Sequence, residues 1–200
     1  MDIKMVVLTK SAKGMRNGSF GNCVAGFDEQ GKWVRLVWDE SGDSLPDTAC
    51  SGFNCLDVID VDITTCPLPY HPENVRLMRF NGRVDRLTID RVVQWVDIYT
   101  GPYCFVNTYN ALDEFQRGRV KESLMLIRVD QLRIYKDERG KAKAEFIYNR
   151  HWYRDISITD NRNKKEASYD EAYVVMSLPA EPYSNGYYYK FIAAVYAAQQ

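Results

Sequence analysis

The feature that most constrains this chain is a hairpin in its first quarter. Cys23 to Phe27 alternate as a strand, the turn Asp28-Glu29-Gln30-Gly31 follows, and a second strand runs from Lys32 to Trp38. Gly31 supplies the positive φ that a tight hairpin needs. In the second strand Trp33, Arg35 and Val37 share one face, while Val34, Leu36 and Trp38 share the other. This segment therefore predicts antiparallel β-sheet.

The rest of the chain repeats this pattern of short strands separated by turns. Further strands are predicted over Ile3–Leu8, Asn54–Ile63, Leu124–Val129, Leu132–Tyr135, Lys143–Tyr148, Trp152–Ile158, Ala172–Leu178 and Tyr187–Ala198. Thr9 to Asn22 is rich in Gly, Ser and Asn, which predicts a loop. Thr88 to Trp95 has helical spacing, and Thr88 can cap the helix. Many short strands at a spacing of about 8–12 residues, with few helices, indicate small β-barrels or a sandwich.

Length and charge narrow the classes of protein. The 200 residues suffice for one large domain or for two domains of roughly 100 residues each. With 26 Lys and Arg against 27 Asp and Glu, the net charge of −1 excludes a globally basic nucleic-acid binder. Any site for a polyanion must therefore be a local patch. No signal-like segment and no run of about 18 apolar residues is present, so we expect a cytoplasmic protein without a membrane span and with reduced cysteines.

Several motifs, in their order along the chain, resemble those of one family. The opening reads VVLTKSAK, then GNCVAGFDEQGKWVRLV, and Pro72-Glu73-Asn74 follows. The later motifs are Ser123-Leu124-Met125-Leu126-Ile127, Phe146-Ile147-Tyr148 with Trp152-Tyr153, Thr159-Asp160, Ser177-Leu178 and Tyr189-Lys190-Phe191-Ile192-Ala193-Ala194. Together they resemble the dual OB-containing domain family over essentially the whole chain.

The resemblance implies a mainly β fold of two small OB-like barrels packed together, with one or two short helices. We place the first barrel at residues 1–110 and the second at residues 111–200, and the C-terminal strand could return to the first barrel. The resemblance also implies a role linked to nucleic acids or nucleotides. The leading prediction is a non-catalytic binding module for single-stranded nucleic acid or a nucleotide-like ligand.

Two sets of basic and aromatic residues are the candidate contacts, because OB-like barrels bind single strands through a basic groove and aromatic stacking platforms. They are Lys10, Lys13, Trp33 and Arg35 in the first half, and Arg150 and Trp152 in the second. Alternation places Arg150, Trp152 and Arg154 on one strand face. The alternative is structural: Lys10 and Lys13 would be solvated loop charges, Trp33 would be core, and the Arg–Trp packing would only stabilise the fold.

No catalytic residue, metal or cofactor is predicted. Cys50, Cys55, Cys66 and His71 lack the tight Cys-x2-Cys spacing of most zinc sites, so free cysteines are the favoured interpretation and zinc stays open. The alternative function is a protein-interaction or adaptor module, in which exposed Tyr and Trp residues form a homodimer or partner interface. A nuclease-like enzyme is a third hypothesis, although two isolated histidines offer little acid–base chemistry.

Overall fold

The computed structural model describes residues 1–14 and 20–198, except for the side chains of Lys13 and Gly14. The chain divides into two compact units, Met1–Asp97 and a second that begins at Ile98. The first unit thus ends before residue 110, where the sequence-based boundary was placed. Among the helices of the described residues, none is long and apolar enough to span a membrane.

The first unit contains a closed barrel of five strands. These are β1 (Asp2–Gly14), β2 (Phe20–Asp28), β3 (Trp33–Val37), β4 (Asp57–Thr65) and β5 (Asn74–Arg86). Around the barrel the order is β1-β2-β3-β5-β4, and β4 pairs with β1 to close it. β3 and β5 are parallel, and the other pairs are antiparallel. Helix α1 (Asp47–Cys50) lies between β3 and β4, and α2 (Ile89–Val92) follows β5.

The second unit contains another closed five-stranded barrel. It is preceded by a short strand, β6 (Ala111–Leu112), and helix α3 (Glu114–Arg117). The barrel strands are β7 (Leu124–Lys136), β8 (Ala142–Tyr148), β9 (His151–Ile158), β10 (Ala167–Ser177) and β12 (Phe191–Ala197). Between β10 and β12, β11 (Tyr188–Tyr189) pairs with β6. The barrel order is β7-β8-β9-β12-β10, and β10 pairs with β7.

The two barrels share one topology. Numbered within its own unit, each ring follows the order 1-2-3-5-4, and in each the third and fifth strands are parallel. This arrangement is a five-stranded Greek-key barrel of the OB type. The predicted mainly β fold of two OB-like barrels is therefore confirmed.

Alternating side chains fill the first barrel. Its buried cluster draws on all five strands and includes Met5, Val7, Val24, Val34, Leu36, Ile59, Val61, Ile63 and Leu77. Leu45, Cys50 and Phe53 add to it from the connection between β3 and β4. Because side chains alternate along a strand, the neighbours of these residues face outward. The cluster therefore defines which side of each strand is the outer face.

The segment from Thr9 to Asn22, predicted to be a loop, is largely strand. β1 continues to Gly14 and pairs with β2 as far as Gly14–Phe20, while residues 15–19 lie outside the described part. A register shift between Val7 and Thr9 bends β1 at the point where its apolar run ends. The pairing with β2, rather than local composition, keeps this polar segment extended.

The closing strand is also different from the prediction of one strand over Tyr187–Ala198. Tyr188 and Tyr189 pair with β6, whereas β12 begins at Phe191 and pairs with β9 and β10. Lys190 lies between the two and is buried, with Nζ donating to the backbone O and Oδ1 of Asn107 at 2.6 and 2.8 Å. The segment divides because its two parts have different partner strands.

Candidate functional site

The outer faces of the second and third strands are where OB barrels contact ligands, together with neighbouring loops. In the first unit this face is largely buried, because Ala25, Phe27, Arg35 and Val37 are each no more than 4% exposed and Trp33 is half-buried. In the second unit the corresponding strands are β8 and β9, and they present exposed side chains such as Trp152 and Arg154. The outer face of the second and third strands is therefore accessible to solvent in the second unit.

We call the outer side of β7, β8, β9 and β12 the second-barrel face. Its members are Arg133, Tyr135, Lys143, Glu145, Ile147, Trp152, Arg154, Asp155, Ser157 and Phe191. One row crosses all four strands, since Tyr135 pairs with Lys143, Lys143 with Ser157, and Ser157 with Phe191. Directly paired residues point to the same side of a sheet, so these four side chains are neighbours.

A bulge in β9 shapes the middle of the second-barrel face. Asp155 has φ 56, and the register with β8 shifts at this point. The Tyr135 hydroxyl donates to Asp155 Oδ1 at 2.7 Å, and Lys143 Nζ donates to Ser157 Oγ at 2.9 Å. Burial and the hydrogen bond to Asp155 raise the pKa of Tyr135 to about 12, so this hydroxyl keeps its proton at neutral pH. The row is held together by these polar contacts.

Trp152 is the main aromatic surface of the second-barrel face. It is 45% exposed and pairs across the strands with Ile147. The guanidinium of Arg154 lies 5.5 Å from the Trp152 ring centroid, which is a cation–π distance. The indole is therefore partly exposed and has an adjacent positive charge.

A second group of aromatic rings adjoins the row at its Phe191 end. Tyr183, from the loop after β10, lies 5.3 Å from the ring of Tyr189 and 6.2 Å from that of Phe191. Asn185 Nδ2 donates to the Tyr189 hydroxyl at 2.8 Å, and Tyr183 and Tyr187 are about half exposed. This loop connects the fourth and fifth strands of the barrel, the position from which OB folds commonly contact ligands.

The six residues predicted from the sequence are divided between the units. Trp152 lies in the second-barrel face, and Arg150 is exposed in the β8–β9 turn with φ 69. In the first unit, the half-buried Trp33 packs on Phe27 with ring centroids 4.1 Å apart. The side chain of Lys13 lies outside the described residues.

Lys10 and Arg35 both make internal contacts in the first unit. Lys10 Nζ donates to the carbonyls of Cys50 and Phe53 at 2.6 and 3.0 Å, at the end of α1, where a cation is favourable. Arg35 is buried and donates from Nε to Glu73 Oε1 at 3.1 Å and from a terminal nitrogen to Cys23 Sγ at 2.8 Å. Lys10 pairs with inward-facing Val24, whereas Arg35 faces outward, so the sheet separates them.

Sequence reasoning left several members of the second-barrel face, and the tyrosines that adjoin it, out of the candidate set. The group comprises Arg133, Tyr135, Lys143, Tyr183, Tyr189 and Phe191. For Arg133, its position between the apolar residues Leu132 and Ile134 indicates an outward-facing side chain. No local pattern indicates that Tyr183 and Phe191 lie near this surface, because their position depends on the pairing of β9 with β12 that closes the barrel.

The cysteines and histidines do not assemble into a cluster. Within residues 1–14 and 20–198, no three His, Cys, Asp or Glu side chains converge on a point that could hold a metal ion. Cys50, Cys55, Cys66 and Cys104 are buried. Burial raises the pKa of the Cys50 thiol to about 11 and that of Cys104 to about 12, so both are protonated at neutral pH.

The family model described as dual OB-containing domain matches residues 3–195, which is nearly the whole chain. No curated protein matches the sequence.

Proposed function

The chain belongs to the dual OB-containing domain family, and from this premise we propose that it binds single-stranded nucleic acid through the second-barrel face. The bound strand would lie across β7, β8 and β9 and reach the tyrosines of the loop after β10. A nucleotide-like ligand would use the same aromatic and basic groups at a single position. The contact residues proposed are Trp152, Arg154, Lys143 and Arg150.

The observation that carries this proposal is the exposed indole of Trp152 beside the Arg154 guanidinium. A base stacked on an aromatic ring in such a groove contributes about 1–3 kcal/mol to binding, whichever of the bases it is. A neighbouring guanidinium adds a phosphate contact and a cation–π contribution. Ile147 extends the apolar surface next to the indole.

The local charges of the second-barrel face are more favourable for a polyanion than the net charge of the whole chain suggests. Its two carboxylates have partners on the face itself, because Glu145 accepts from Arg133 at 3.4 Å and Asp155 accepts from Tyr135. Arg154 and Arg150 are exposed beside them. A local basic surface can attract phosphates on a chain that is nearly neutral overall.

Fluorescence anisotropy with short labelled single-stranded DNA and RNA tests the proposal. Trp152→Ala is expected to weaken binding about fivefold to 150-fold, from the loss of one stacked base. Trp38→Ala is the matched control, since Trp38 is 47% exposed but lies in the first unit. Equal losses in the two variants, or no binding at low salt, would contradict the proposal.

Salt dependence gives a second test. Phosphate contacts release counterions, so the affinity should fall linearly on a log–log plot against salt concentration. Arg150→Gln should reduce that slope by about 1 if Arg150 contacts a phosphate. A slope that is unchanged in this variant would remove Arg150 from the proposed contacts.

A protein-interaction role is a second candidate, because two large rings of the second unit are highly exposed. Phe115 is 77% exposed and Tyr109 is 72% exposed, and Arg119 lies 6.0 Å from the Phe115 ring centroid. Aromatic residues and Arg are enriched at protein interfaces. Light scattering over a range of protein concentrations should then show association that Phe115→Ala abolishes. A constant monomer mass would count against self-association.

A further inference from the structure

A cavity of about 260 Å³ lies on the outer face of the first barrel. Val58, Val6 and Phe27 form an apolar row along it, because Val6 pairs with both of the others across β4, β1 and β2. Trp95, which follows α2 and is 43% exposed, also lines the cavity. Sites for drug-sized ligands measure about 300–1,000 Å³, so this cavity suits one small ring or a short aliphatic body.

The charged groups at this cavity are mostly acidic. Lys4, Asp28 and Glu29 line it, and Lys4 pairs across β1 and β4 with Asp60. Asp28 Oδ1 accepts from the backbone amides of the β2–β3 turn, which fixes this carboxylate at the rim. A phosphate at this position would meet two carboxylates, and among the described residues Lys4 is the one cation that lines the cavity with them. The chemistry therefore favours a ligand of the opposite charge.

We propose that this cavity binds a small organic cation, an amine attached to an aromatic or aliphatic body. The body would pack on Val58 and the ring of Trp95, the apolar lining residues that solvent reaches, beside the buried Phe27 and Val6, and burial of that exposed apolar surface favours binding. The ammonium group would lie near Glu29 and the ring of Trp95, since cations are attracted both to carboxylates and to indole faces. This site is on the first barrel, so it does not depend on nucleic-acid binding by the second-barrel face.

Three probes of matched size and different charge test the proposal on the full chain. They are phenethylammonium, 2-phenylethanol and 3-phenylpropionate, and binding is followed by tryptophan fluorescence excited beyond the absorption of the probes. Phenethylammonium should quench saturably and bind about two- to fivefold more tightly than the alcohol, the ratio that a partly exposed cation–π contact provides. Phenylpropionate should bind more weakly than either.

Two variants and a matched control for each identify the site. Trp95→Ala should abolish the saturable signal, whereas Trp38→Ala should preserve it, because Trp38 does not line the cavity. Glu29→Lys should reverse the preference from the amine to the carboxylate probe. Glu138→Lys, in the β7–β8 turn of the second unit, makes the same change in net charge and should leave the preference intact. Equal affinities for all three probes, no saturation with any of them, or equal effects of the two lysine variants would overturn the proposal.

Discussion

The buried ion pair between Arg35 and Glu73 offers a quantitative test of how the first barrel is stabilised. The two side chains are 5% and 4% exposed, and a terminal nitrogen of Arg35 lies 3.0 Å from Glu73 Oε1. Arg35 is also one of the contact residues predicted from the sequence. The perturbation is a double-mutant cycle of Arg35→Met, Glu73→Met and the two together.

The expected magnitudes follow from the burial of both charges. Removing one partner leaves the other charge buried without its counterion, which costs about 3–5 kcal/mol. Replacing both with apolar side chains of similar length removes the charges together and is often close to neutral. The double variant should therefore be more stable than Glu73→Met alone, with a coupling free energy of at least about 2 kcal/mol.

Urea unfolding followed by tryptophan fluorescence measures these free energies. A Trp152→Phe background confines the signal to the first unit, where Trp33, Trp38 and Trp95 lie. Glu40→Gln is the control, because Glu40 is 88% exposed and 3.8 Å from Arg76, and exposed pairs contribute about 0–1 kcal/mol. Additive free energies would refute the interpretation of a coupled buried pair. A stable Arg35→Met variant that lost nucleic-acid affinity would instead support a contact role for Arg35.

Two further predictions concern single positions. Gly26→Ala should cost about 1–3 kcal/mol or more in urea unfolding, because a Cβ would lie 1.8 Å from the Val6 carbonyl oxygen, whereas Gly118→Ala meets only ordinary contacts and should cost less. Burial tends to raise the pKa of Asp160, but hydrogen bonds and the charge of Arg162 outweigh it and hold this pKa below its usual value. The resulting stabilisation is present above about pH 4 and is lost as the pH falls through the folded-state pKa. The difference in the free energy of unfolding between wild type and Asp160→Asn should therefore shrink from pH 7 to pH 3. A difference that stays constant over this range would contradict the prediction.

The fold was predictable because its main signals are local. The hairpin of β2 and β3 follows from alternation around Gly31, which has φ 72 as its turn requires. Thr88 caps α2 as expected, accepting from the Arg91 amide at 3.4 Å. What local pattern could not show is pairing between distant segments. The polar end of β1 is extended because β2 lies beside it, and no property of residues 9–14 alone indicates this.

The candidate site was only partly predictable for a related reason. Trp152 and Arg154 lie two residues apart on one strand, so alternation alone places them together. Lys10 and Arg35 carry the same residue chemistry, yet their contacts with Cys50, Phe53 and Glu73 come from segments about 40 residues away. Whether a basic side chain faces solvent or a carbonyl depends on those distant segments.

The two barrels share a topology but differ in what their second and third strands present outward. In β2 and β3 these positions include Ala25, Phe27 and Val37, and the inward positions are apolar too. Strands that are apolar on both sides are typical of sheet that is buried on both faces. β8 and β9 instead alternate buried residues with Lys143, Trp152 and Arg154. The outward side chains of β8 and β9 are therefore accessible to a ligand, whereas those of β2 and β3 are mostly buried, which is why the proposed binding of nucleic acid is placed on the second-barrel face.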